Sequence, residues 1–228
     1  MKYKINIITL PMPFRMGSVN SYLIETISGC LLIDTGGSTA RKVLLSELIT
    51  LGCTSNSLRL VLITHGDFDH IGNAACLRLQ YTTRIAMHHD DSGMAEQGDM
   101  FANRQKSNPL IGALLPVFSG FGEKERFTPD IFISDGYDLS NFGLDAKIIS
   151  LPGHSKGSIG ILTSNGDLFC GDLLENTKGP ALNSLMDDQA AARDSIEKIM
   201  NMNIKSVFPG HGQPFMLDTL LNNTPRAG

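Results

Sequence analysis

The sequence predicts a layered α/β sandwich, with strands inside and helices outside. Short apolar runs alternate along the chain with segments of helical periodicity. Several of those runs end at glycine-marked turns. The 228 residues are 42% hydrophobic and 18% charged, enough to bury a sizeable core. No Pro/Ser-rich linker, low-complexity tract or strong long repeat divides the chain, so one domain over residues 1–228 is expected.

The elements follow in order. Strands are expected at Lys4–Leu10, Asn20–Glu25 and Cys30–Asp34, with the turn "TGGS" after the third. Ser38 or Thr39 is placed to cap a helix running through Ile49, whose Val43, Leu44, Leu48 and Leu51 recur at helical spacing and whose stop is Gly52. Leu58–Thr64 is continuously apolar until its end, the pattern of a strand buried on both faces. A helix at Asn73–Gln80 and a strand at Thr83–Met87 come next, then strands at Ala146–Leu151, Leu168–Cys170 and Ser206–Phe208. Between the last two, Asp187 or Asp188 caps a helix to about Met202, with Ile196, Ile199 and Met200 on one face.

Charge and composition exclude several classes. A net charge of −4 without blocks of like charge gives no footprint for nucleic acid or anionic membrane. The N-terminal "MKYKINIITLPMPF" reads as a strand rather than a signal peptide, and no window is apolar for long enough to span a bilayer. A cytoplasmic location is expected. Cys30, Cys53, Cys76 and Cys170 lack paired spacing and read as free thiols, mostly buried.

The chemistry gathers at strand ends. "LVLITHGDFDHIGN" (60–73) packs His65, Asp67, Asp69 and His70 into six positions after an apolar strand. "IISLPGHSKGS" ends a strand at His154, "LFCGDLL" delivers Asp172, and "VFPGHGQPF" delivers His211. Each lies beside a glycine that lets the backbone turn tightly. Together they supply seven imidazole and carboxylate donors, enough for two divalent ions sharing a bridging carboxylate.

In order and context these motifs resemble the metallo-β-lactamase superfamily, whose signature is His-x-His-x-Asp-His followed by separate His, Asp and His. The resemblance runs from "NSYLIE" and "LLIDTGG" to "FPGHGQPF". It implies a four-layered αββα sandwich with a metal site at one edge of the paired sheets. Carried over by position, His65, Asp67 and His154 would hold one ion, Asp69, His70 and His211 a second, and Asp172 would bridge them. Asp34, in "IDTGG", would support the metal loop by hydrogen bonding.

The departure is Asp67, where the family usually has histidine. It could ligate, leave the first position too weak to fill, or point away and brace the loop; ligation is favoured because carboxylates bind zinc, manganese and iron. A coordinated Asp67 would bring the site's excess positive charge to about zero, making the ions weaker Lewis acids and shifting preference toward manganese or iron, with zinc still open. The flavodiiron branch of the superfamily has glutamate at this position.

The function this implies is a metal-dependent hydrolase cleaving a small ester, thioester or lactone, with Asp172 bridging and Asp69 orienting or deprotonating water. The alternative is a diiron redox protein acting on oxygen or nitric oxide. With the chain ending soon after "FPGHGQPF", that reading needs a separate electron-donor partner. A non-catalytic binding module is the third and weakest reading. Segment 94–127, with Met100, Phe101, Leu110, Ile111, Leu114, Leu115, Phe118 and Phe121, reads as a lid over an apolar pocket, or else as an insertion packed on the core or making a homodimer contact. Arg104 and Lys106 could bind a substrate carboxylate or phosphate but are expected to be exposed, one of His88 and His89 could line the pocket but surface or supporting roles are favoured, and Ser158 and Cys170 are not expected to act as nucleophiles.

Overall fold

The computed structural model describes residues 2–104 and 120–223. Its first mixed sheet takes β1 (Lys4–Pro11), β2 (Ser18–Thr26), β3 (Gly29–Ile33), β4 (Leu58–Leu62), β5 (Arg84–Met87) and β6 (Ile131–Phe132) in sequence order. The first three strands pair antiparallel, and β3 to β6 run parallel. The second sheet is built from β7 (Ala146–Ser150), β8 (Ile159–Thr163), β9 (Asp167–Gly171), β12 (Ser206–Pro209) and β13 (Phe215–Met216), in the order β13-β12-β9-β8-β7. A short pair, β10 (Leu174–Glu175) and β11 (Ala181–Leu182), stands apart.

Alternation along the strands builds the layers, because successive side chains point to opposite faces of a sheet. In β3 and β4, Leu31, Ile33, Leu60 and Leu62 face the second sheet and pack with Ile148, Ile161 and Phe169. Cys30, Leu32 and Val61 face outward and pack under α1 (Arg41–Thr50) and α3 (Ala74–Tyr81), through Leu44, Leu48, Ala74 and Leu77. The outer face of the second sheet, with Ile149, Leu168 and Val207, is covered by Ala192 and Ile199 of α5 (Gln189–Met200) and Leu217 and Leu220 of α6 (Leu217–Asn223). Helices therefore cover both outer faces of two packed sheets, as expected. Each fully buried Leu or Ile stabilises this arrangement by ~1.5–3 kcal/mol relative to exposure. The remaining helices, α2 (Phe68–Ile71) and α4 (His89–Gln97), lie beside the strand ends that carry the site.

Several local expectations change. Neither Ser38 nor Thr39 caps α1: a 3-10 turn, Ser38–Ala40, precedes it without a side-chain cap, and the Ser38 hydroxyl donates to the Gly120 carbonyl at 2.7 Å. Of the two aspartates before α5, Asp188 is the cap, accepting from the amides of Ala190 and Ala191. The strand β8 carries Gly160 within a short run, which hid it from the sequence pattern. A side chain at Gly160 would crowd the tips of Leu151 and Leu168 and the Phe169 carbonyl, so glycine fits there without shifting them.

Residues 105–119 of the 94–127 segment, including Lys106, Leu110, Ile111, Leu114, Leu115 and Phe118, lie outside the described residues. On either side of them Met94, Ala95, Phe121 and Phe127 are buried, and Phe121 stacks on Phe68 at 4.3 Å between ring centroids. All four cysteines are free, and Cys30, Cys53 and Cys170 are buried. Among the described residues no helix is long and apolar enough to cross a membrane.

Candidate metal centre

The centre starts at the end of β3. Asp34 sits with φ +56°, a left-handed conformation that Asp tolerates better than most residues, and this turns its carboxylate toward the next strand end. One carboxylate oxygen accepts from the Thr64 amide at 2.9 Å; the other accepts the Thr64 hydroxyl at 2.8 Å and lies 2.9 Å from His70 Nδ1. Having given its only proton to Asp34, the Thr64 oxygen must accept from His65 Nδ1–H, 2.9 Å away. His154 Nδ1 donates to the Leu185 carbonyl at 2.6 Å and His211 Nδ1 to the Ser18 carbonyl at 2.8 Å. All four imidazoles are thus anchored through Nδ1 and present Nε2 to the same space, the usual arrangement for orienting metal-binding histidines.

The donors converge in two groups, His65 with His154 and Asp172, and Asp69 with His70 and His211. Asp172 reaches both: Oδ1 is 3.4 Å from His70 Nε2, while Oδ2 is 3.3 Å from His211 Nε2 and 4.0 Å from His154 Nε2. Donors about 2.0–2.2 Å from one tetrahedral ion stand roughly 3.3–3.6 Å apart, close to these separations. His65 Nε2, His70 Nε2 and Asp172 Oδ1 are buried without a hydrogen-bond partner. Unpaired buried polar atoms cost about 1–3 kcal/mol each, so three aimed at one space fit a cation held between them. The nitrogen and oxygen donor set suits zinc, manganese or iron.

Residues 15–211 match the family model of the metallo-beta-lactamase superfamily. This chain belongs to that superfamily. A Caenorhabditis elegans "Beta-lactamase-like protein 2 homolog" is 24% identical over 89% of this chain and 58% of its own length. The chain thus spans less than two thirds of that relative. The "Hydroxyacylglutathione hydrolase GloC" of Haemophilus influenzae is 29% identical over 63% of this chain and 60% of its own. Among solved structures, TTHA1623 in a di-iron-bound form superposes with a TM-score of 0.71 at 25% identity, covering 94% of this chain and 98% of its own. The class B3 di-zinc metallo-beta-lactamase LRA-12, from an Alaskan soil metagenome, gives 0.65 at 15% identity, covering 90% and 75%.

Asp67 stands where this superfamily usually has histidine. It precedes α2, and its carbonyl accepts the first helical bonds from His70 and Ile71, yet its side chain caps nothing. The carboxylate turns inward instead: Oδ2 lies 3.1 Å from His154 Nε2 and 3.9 Å from His65 Nε2. It does not point away from the centre. Oδ1 makes an ion pair of 2.7 Å with Arg104 Nη1.

That pair corrects the expectation for Arg104, whose side chain is 8% exposed rather than solvated. Its Nε donates to Asp187 Oδ2 at 2.6 Å and its Nη2 to the His154 carbonyl at 3.3 Å. The cause is tertiary: after α4 the chain turns back, and Asn103 donates to the Asp90 carbonyl and, at 2.9 Å, to Asp91, bringing the next residue under the metal loop.

In the metal-free chain the site is strongly polarised. Burial alone would lower the pKa of His70, His154 and His211, but facing carboxylates overcome it. Asp172 and Asp34 raise His70 to about 9, Asp67 raises His154 to about 9, and Asp172 with Asp69 raises His211 to about 11. Burial and the neighbouring His70 and His154 push His65 the other way, well below its usual value. Burial opposes ionisation of Asp67 and Asp172 too, but His154 and Arg104 hold the first, and His70 and His211 the second, well below the usual carboxylate range.

One supporting residue escaped the sequence reading, and a second has more to do than turn the chain. Asp91 of α4 is fully buried and accepts from the amides of Gly66 at 3.0 Å and Gly157 at 2.8 Å and from the Ser155 hydroxyl at 2.5 Å, tying the metal loop to the His154 loop. Nothing in "HHDDSG" separates it from Asp90. Gly210 is the other: a Cβ there would overlap Asp172 Oδ1 and crowd His70 Cε1, so the turn "PGHG" needs glycine for close approach to the bridging carboxylate. His88 caps α4 by accepting from the Asp90 amide at 3.2 Å, and His89 is exposed. Burial pushes the Cys170 thiol up to about 12, and Ser158 hydrogen-bonds Ser155 rather than a base, so neither is set up as a nucleophile.

Proposed function

We propose that this chain is a dinuclear metallo-hydrolase acting on a small ester, thioester or lactone. The observation that carries the reading is the sharing of Asp172 between two donor groups whose buried Nε2 and Oδ1 atoms lack partners. His65, Asp67 and His154 would hold one ion, Asp69, His70 and His211 the other, with Asp172 between. Zinc, manganese or iron would supply Lewis acidity and an activated water.

The chain's own residues divide the remaining work. Asp34, Thr64, Leu185 and Ser18 fix the four imidazole tautomers. Asp69, with 25% of its side chain exposed, lies 3.4 Å from His211 Nε2 on the more open side, where it can orient water and take a proton. Asp172 and Asp67 stay ionised. Membership of the superfamily and the similarity to a protein named a hydroxyacylglutathione hydrolase, and to a "Probable metallo-hydrolase" of Bacillus subtilis at 26% identity, support hydrolysis over redox chemistry.

The test is a panel of lactones, thioesters, esters and phosphodiesters assayed before and after chelation, with no electron donor. Turnover of an acyl substrate that chelation abolishes and added metal restores is expected. Turnover that appears only with an electron donor and oxygen or nitric oxide would favour the diiron reading instead.

A further inference from the structure

The closed corner of the centre holds a carboxylate where the superfamily usually has a neutral imidazole, and a buried guanidinium stands against that carboxylate. These are two unusual features in direct contact. Asp67 divides its oxygens, Oδ2 toward His154 and His65 and Oδ1 toward Arg104. Arg104 cannot move away easily, because its Nε is held by Asp187 and its Nη2 by the backbone of the His154 loop. Asp187 is 40% exposed, so water screens its charge, whereas Asp67 and Arg104 are 12% and 8% exposed.

We infer that Asp67 and Arg104 act as one unit: Arg104 is the positioning residue that aims Asp67 at the first ion and cancels its charge, so the corner gains an oxygen donor without gaining net charge. This rests on the dinuclear reading proposed above. It also revises the charge account drawn from sequence. Counting Asp67 alone leaves the two ions with no excess positive charge, whereas counting the pair restores the balance of a site with histidine at that position. Arg104 is also spoken for on three sides, so it is not a free hook for a substrate carboxylate.

The pairing makes a specific prediction, because a counter-charge is useful only while the charge it balances is present. Removing Arg104 should loosen one ion, and replacing Asp67 with the neutral ligand should then remove the need for Arg104. The experiment uses the full chain, metal-stripped and titrated with zinc against a chromophoric chelator, with zinc content checked by elemental analysis and folding by thermal denaturation of the metal-free protein. Wild type is expected to bind two zinc ions. R104Q should hold one of them about 10–100-fold more weakly, as expected for loss of a partner that orients a ligand. R104K, which keeps the cation but not the fork, should fall between. D67H alone should also weaken that ion, since it leaves a cation facing it, whereas D67H/R104Q should recover it to near the wild-type affinity.

Equal zinc affinities of wild type and R104Q, or a D67H/R104Q double variant no better than either single one, overturn the pairing while leaving the dinuclear site standing. A wild type that binds none of zinc, manganese and iron overturns both. Should R104Q fail to fold, R104K and the double variant carry the same comparison.

Discussion

At one corner of the centre His65, Asp67 and His154 are all buried; at the other, Asp69 and His211 keep 25% and 16% of their side chains exposed. Both corners use imidazole and carboxylate, and both lean on Asp172. They differ in how charge is settled. The closed corner brings in Arg104 to face its carboxylate, since little water reaches it, while the open corner leaves Asp69 to solvent. Water-excluded groups need protein partners, and groups that must meet a substrate cannot be fully walled in. On the dinuclear reading proposed above, the closed corner would hold an ion, and the open one would hold an ion and admit a reactant.

The largest change should come from removing what the corners share. Asp172→Asn takes away the charge from both groups, and metal content should fall from two ions per chain to fewer than one, with at least ~100-fold loss of hydrolytic activity. A variant that keeps one tightly held ion would mean that the corners are independent.

Proton release should separate the corners next. At pH 7.5 the metal-free chain holds extra protons on His70 and His211 at the open corner, with pKa about 9 and about 11, but only on His154, about 9, at the closed corner, because His65 is already neutral. Filling the open corner should release about two protons and filling the closed corner about one, so affinity rises with pH, more steeply for the open corner. Calorimetric titration in buffers of different ionisation enthalpy counts these protons; equal release at both corners would contradict the assignment. The sign reverses for the fold without metal. These histidines have folded pKa values above their unfolded value near 6.5, so their stabilisation is complete below about pH 6.5 and is lost as pH rises through about 9 and beyond. The thermal midpoint of the metal-free chain should fall over that window.

Smaller effects should follow from the supporting residues. Asp34→Asn can keep the left-handed backbone but replaces the charged acceptor of His70, so affinity at the open corner should drop about 10–100-fold, with a smaller loss at the closed corner, whose His65 Asp34 orients through Thr64. Asp91→Asn swaps one of two acceptor oxygens for an amide group against a set of donors from both loops. That should cost about 1–3 kcal/mol in thermal or denaturant unfolding and leave metal stoichiometry unchanged; loss of an ion would show that Asp91 sets ligand positions as well as stability.

What the sequence disclosed follows the same division. The six residues that the structure brings into the two donor groups stood out locally: His65, His154, Asp172 and His211 each follow an apolar strand beside a glycine, and Asp69 and His70 follow His65 in the same short loop. The layers were legible from apolar periodicity, except where Gly160 broke the run of β8. Arg104 and Asp91 were not legible. Each works through partners far along the chain, Asp67 and Asp187 for one and Gly66, Ser155 and Gly157 for the other, and nothing in "FANRQK" or "HHDDSG" marks the residue that will be buried. Asp67 looked like an excess charge for the related reason that its counter-charge lies 37 residues away in the chain.

The most direct test of the centre is the metal-to-protein ratio of the full chain purified without added metal and then equilibrated with a modest excess of zinc, manganese or iron. Two ions per chain, with the second lost first on acidification, are expected. A ratio of one or below with every metal, at neutral to mildly alkaline pH, would contradict a shared dinuclear site.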